Sequence, residues 1–129
     1  MNLKAPTLKE IEALASRALE GIPHLFKREL GSLVIRVEEL PDKGTEAEMN
    51  LESPFDLLGL YRGAPMPRRS VADPQPAIDM VFLYRRSILD YWCETGEDLF
   101  ELVRHVLIHE IGHHFGFSDE DMDRIERSE

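Results

Sequence analysis

Apolar positions recur along the chain with two periods, and these divide it into helical and extended segments. Thr7 followed by Glu10 reads as a capping box, and Ile11, Leu14, Ala15, Ala18 and Leu19 then fall at helical spacing until Gly21 and Pro23 end the run. A weaker helical stretch covers residues 24–30. Residues 33–38 alternate, with Leu33, Ile35 and Val37 on one face and Arg36 and Glu38 on the other, which predicts a half-buried strand. Residues 57–62 form a second strand candidate and residues 78–84 a third; the third is the most apolar and therefore the most central. The segment between them, 63–76, holds Pro65, Pro67, Pro74 and Pro76 and is expected to be irregular backbone. Helix returns at about 86–93.

The next helix is different in kind. Thr95, with Asp98 three residues on, predicts its N-cap, and Gly116 stands where a left-handed residue closes a helix. From Val106 to Phe115 every face carries a large apolar group except where His and Glu project. A helix apolar nearly all round is buried in the body of a fold, and ionisable groups on it need partners or a metal. Ser118 then predicts the cap of a final acidic helix running from 119 to about 127.

Composition bounds the rest. The chain has 129 residues, 43% hydrophobic and 31% charged, which suits one globular domain spanning residues 1–129. Its longest purely apolar run, residues 80–84, is far short of the ~20 residues of a membrane span. The first residues lack the apolar core of a secretory signal, and one cysteine, Cys93, rules out an internal disulfide framework. These features read as cytoplasmic. A net charge of −10 repels phosphate backbones and anionic lipid, so no nucleic-acid or membrane partner is expected. The charge is uneven: residues 38–56 carry seven acids against Lys43, and residues 61–86 carry Arg62, Arg68, Arg69, Arg85 and Arg86 against Asp73 and Asp79. Both stretches read as solvated loops, although the arginines could meet a peptide carboxylate.

Candidate chemistry concentrates at the end of the buried helix. His109-Glu110-Ile111-Gly112-His113 is an HExxH pattern, and its chance expectation at this composition is only about 0.02 occurrences. On a helix the two histidines lie one turn apart on one face, so both imidazoles can converge on one zinc ion. Glu110 lies one step round the axis, close enough to take a proton from metal-activated water without being a ligand. Catalytic zinc usually takes three protein ligands. Gly116 can turn the chain sharply, and the third residue beyond it, Asp119, is an oxygen donor able to swing back to the metal. Glu120 and Asp121 are the alternatives for that place.

The run His109-Glu110-Ile111-Gly112-His113-His114-Phe115-Gly116-Phe117-Ser118-Asp119 resembles the HExxHxxGxxD motif of the small bacterial minimal zincins, single-domain zinc metallopeptidases with Asp where metzincins have a third His. Residues 58–63 with the proline-rich loop after them, the strand 78–84 leading into Arg85, and the acidic helix after Asp119 are similar to the same family. The resemblance implies an α+β, zincin-like fold: a small mixed β-sheet packed against a buried metal-binding helix.

These observations together favour a zinc-dependent hydrolase, a metallopeptidase, with Zn2+ on His109, His113 and Asp119 and Glu110 as general base. Its substrate would be a peptide or protein. With ten residues after Asp119, the cleft is expected to be shallow or completed by a second subunit or partner. Two alternatives stand: a non-catalytic, metal-stabilised binding module, and a zinc endoribonuclease, whose third ligand would be His and which would lack Glu after the first ligand. His105 shares a helical face with His109 and reads as a packed histidine before a spare ligand, while His114 points elsewhere. Tyr61 and Tyr84 read as sheet aromatics before oxyanion donors. Cys93 reads as a small buried hydrophobe, and Met122 as ordinary packing of the last helix.

Overall fold

The computed structural model describes residues 4–22, 33–63 and 79–127. The expected weak helix at 24–30 and most of the irregular stretch 63–76 lie outside the described residues, as do Arg68 and Arg69. Helix α1 spans Leu8–Glu20. Its capping box forms as the sequence predicts: Glu10 N donates to Thr7 Oγ1 at 3.1 Å and Thr7 N to Glu10 Oε1 at 3.2 Å. Strand β1 (Val34–Glu38) turns Ile35 and Val37 inward and leaves Arg36 and Glu38 exposed.

A short helix α2, Lys43–Glu48, stands in the acidic stretch that reads as loop in the sequence. Asp42 caps it by accepting from Thr45 N at 2.7 Å, and that bond holds the Asp42 carboxyl below its usual range. After a 3-10 turn at Pro54–Asp56 come strands β2 (Gly59–Arg62) and β3 (Met80–Tyr84), helix α3 (Arg85–Thr95), helix α4 (Leu99–Phe115) and helix α5 (Asp119–Arg127).

The sheet order is β1-β3-β2. The apolar β3 is central, parallel to β1 with Val34 opposite Met80 and antiparallel to β2 with Gly59 opposite Leu83. Val81 and Leu83 of β3 are fully buried and pack with Ile11, Ala15 and Ala18 of α1, Ile88 of α3, and Leu102, Val103, Val106, Leu107 and Ile111 of α4. This is a mixed α+β fold in which α4 packs against β2, β3 and the helices α1, α3 and α5. Among the described residues no helix is long and apolar enough to cross a membrane.

The oppositely charged stretches partly neutralise each other. Arg62 on β2 reaches Glu48 of α2 at 3.0 Å, and Arg85 pairs with Glu39 at 2.8 Å while donating to Pro6 O at 2.6 Å. Arg86 lies over the Phe55 ring. These three arginines serve the fold, so the reading of them as carboxylate receptors has no support in their contacts.

Two helix-end details correct or extend the sequence reading. Thr95 does not cap α4; it is the last residue of α3, which Gly96 closes in the left-handed region at φ 68°. The cap is Asp98 itself, accepting from Glu101 N at 3.0 Å. At the other end Gly116 is left-handed as expected (φ 71°), and Gly116 N donates to His113 O while Phe117 N donates to Gly112 O, a Schellman turn. Cys93 is exposed rather than buried, because Ile88 and Trp92 take the inward face of α3.

Candidate metal centre

The Schellman turn reverses the chain and sends α5 back along α4. Ser118 and Asp121 form the expected cap, with Asp121 N donating to Ser118 Oγ at 3.2 Å and Ser118 N to Asp121 Oδ2 at 3.3 Å. One turn into α5, Met122 is 1% exposed and lies on Gly112, where an added Cβ would stand 2.5 Å from Met122 Cε. Gly112, the second variable position of the HExxH pattern, is therefore the close-approach point of the two helices. One further turn along, Glu126 reaches His105 and His109, and Arg104 donates to the Glu126 carbonyl at 3.2 Å. Contacts that advance along α5 while retreating along α4 make the pair antiparallel. Asp119, the first residue of α5, accordingly lies at the His113 end. Met122 packs as the sequence predicts.

His105, His109 and Glu126 come together on this seam, with one donor atom from each all within 4.8 Å of one another. His105 Nδ1 is 2.9 Å from Glu126 Oε1, His109 Nε2 is 3.6 Å from the same oxygen, and the two imidazole rings are 4.2 Å apart at their centroids. Two imidazoles and a carboxylate are a donor set that suits a borderline ion such as zinc, so the chemistry of the seam fits the implied metal. His113 stands one turn further on and is largely exposed; its Nδ1 is 3.4 Å from Glu110 Oε1. Nothing is described of the side chains of His114 and Asp119.

Glu110 is the most constrained of the motif residues. Its side chain is only 13% exposed, and Oε1 accepts a 2.8 Å hydrogen bond from the backbone N–H of Tyr61 on the outer edge of β2. Burial pushes its carboxyl above the usual range, and His113 and the Tyr61 amide partly oppose that rise. A cleft of about 670 Å3 opens here, walled by Leu57, Leu58 and Gly59 on one side and by Leu102, Val106, His109 and Glu110 of α4 on the other. Glu97, Asp98, Glu101 and Glu126 give it an acidic rim.

Neither tyrosine hydroxyl turns toward this cleft. Tyr61 Oη donates to Asp79 Oδ1 at 2.9 Å, and Tyr84 is 2% exposed, with burial pushing its phenol up to about 12. Both are sheet aromatics.

Gly59 allows β2 to approach α4 this closely. A Cβ there would meet Val106 Cγ1 at 2.7 Å, the Phe82 carbonyl at 3.1 Å and Glu110 Cγ at 3.3 Å. Gly59→Ala should therefore cost about 1–3 kcal/mol in urea-melt stability, as overpacking usually does. An unchanged midpoint would show that β2 and α4 are not held at this spacing.

The sequence profile of zincin-like metallopeptidases matches residues 30–128. The chain belongs to the zincin-like metallopeptidase family. The match takes in β1, the cleft-lining strand β2, the central strand and the α4–α5 hairpin. A conserved hypothetical protein from Thermus thermophilus is similar in structure, with a TM-score of 0.55 and 27% identity, covering 85% of this chain and 94% of that one. No curated protein matches.

Glu126 is the site residue that sequence reasoning misses. Its only advance signal is that it stands one turn after the apolar Met122, on the face of α5 that must turn toward α4.

Proposed function

We propose that this protein is a zinc-dependent peptidase in which His109, His113 and Asp119 hold the ion and Glu110 is the proton carrier. The observation that carries the reading is Glu110: a buried carboxylate tied to the β2 edge, beside two motif histidines, at the wall of a cleft. When bound, zinc supplies Lewis acidity, polarising a carbonyl and making water more acidic.

The protein's own residues do the rest. The Tyr61 N–H fixes one Glu110 oxygen, which orients the carboxylate. Burial raises its proton affinity, so it can take the proton of the attacking water and deliver it to the leaving amine nitrogen. Leu57, Leu58, Leu102 and Val106 present apolar surface to substrate and limit water at the reacting bond. The acidic rim supports a peptide rather than a polyphosphate substrate.

A chelator should abolish turnover of a peptide library and lower Tm, and added zinc should restore both. Turnover that survives complete metal removal would refute the proposal. Zinc that raises Tm with no turnover of any peptide would leave a metal-stabilised binding module.

A further inference from the structure

Among the described residues, the three donors that come together include one residue of the motif, His109, and two from outside it. His105 lies outside HExxH, Glu126 lies seven residues beyond Asp119, and both converge on His109. Ligands bound at about 2.1 Å in a tetrahedral shell stand about 3.4 Å apart. The 3.6 Å between His109 Nε2 and Glu126 Oε1 already matches that spacing, and His105 Nδ1, at 2.9 Å from the same oxygen, has to move out only slightly. The framework under the donors is firm: His105 and His109 are successive turns of a buried helix, and Glu126 is held by Met122 packing and by the Arg104 bond to its carbonyl.

We propose that His105, His109 and Glu126 form a second seat for a divalent transition-metal ion, one that competes with the catalytic seat for His109. The seat stands on this geometry alone; the competition rests on the proposed function, which also requires His109. An ion here would staple α5 to α4 and lie in the cleft, of which all three donors are wall residues. It would also withdraw from catalysis the histidine shared by both sets. A single zinc per chain is then expected even at excess zinc, because one imidazole cannot serve both seats through Nε2.

The test uses the full chain and zinc alone, titrated against a chromophoric chelator. His113→Ala removes a ligand of the catalytic set, at a largely exposed position, and leaves the second seat intact. It should still bind one zinc and show a zinc-dependent rise in Tm. Adding His105→Ala, or Glu126→Gln, should weaken that binding at least tenfold and remove the rise in Tm. His113→Ala that binds no zinc, or binds it equally well with and without His105, overturns the second seat. Two zinc ions per wild-type chain overturn the competition. These failures are distinct from failure of the proposed function, which would appear as wild-type protein without metal-dependent turnover.

Discussion

Glu110→Gln should lower peptide-hydrolysis kcat/KM by about 100- to 10,000-fold, the range over which a positioned general base acts. The substitution spares every proposed ligand, so zinc content should be unchanged. It also suits the fold. The amide oxygen of Gln can still accept from Tyr61 N, and a neutral group is welcome where burial opposes charge. The raised carboxyl gives that statement a sign. A group whose folded-state affinity for its proton exceeds the unfolded value of 4.5 contributes stability that is present below about that pH and is lost as pH rises through the folded value. In chelated protein at pH 7–8 the Gln variant should therefore melt at or above wild type, and the gap should close on acidification toward 4.5. Full activity in the variant would remove Glu110 from the mechanism. Lost activity accompanied by lost zinc or a lowered Tm would mean that the residue is structural.

The parts of the fold that obey local rules are legible in the sequence. Thr7 with Glu10, Gly116, and Ser118 each announce a helix end through one hydrogen bond or one backbone angle, and each forms. The most apolar strand is central, paired with β1 on one side and β2 on the other, with Val81 and Leu83 fully buried. Thr95/Asp98 and Asp98/Glu101 offer overlapping cap patterns, and the left-handed turn at Gly96 decides for Asp98. Helix α2 is not legible in the sequence because its acidic residues carry little apolar period; Asp42 as cap and the burial of Thr45 stabilise it instead.

The site divides in the same way. HExxH is a pattern within one helix, so its geometry follows from the helical repeat. Glu126 joins His105 and His109 because a Schellman turn and the Met122–Gly112 contact fix the path of α5, a tertiary fact that the sequence marks only by the spacing of Glu126 from Met122.

Asp119→Ala should weaken zinc binding at least tenfold, or about 1.4 kcal/mol, when measured in a His105→Ala background where the second seat cannot contribute. The expectation follows from the path of α5: Glu126 meets His105 and His109, Met122 meets Gly112, and Asp119 opens the helix one turn earlier, at the His113 end. A carboxylate that only favours the helix dipole would change stability by about 0.3–1 kcal/mol and leave the zinc constant alone. Asp121 is the matched control. Its carboxylate already accepts from Ser118 N and pairs with Arg124, contacts that hold it below the usual range, so it is committed to capping α5. Asp121→Ala should weaken the helix cap with little effect on zinc, and Asp119→His should restore affinity because imidazole is itself a good zinc donor. Competitive titration with a zinc-sensitive dye measures all three variants. Equal affinities for Asp119→Ala and Asp121→Ala would remove Asp119 from the ligand set and leave His109 and His113 as a two-donor pair, too weak to hold a catalytic ion.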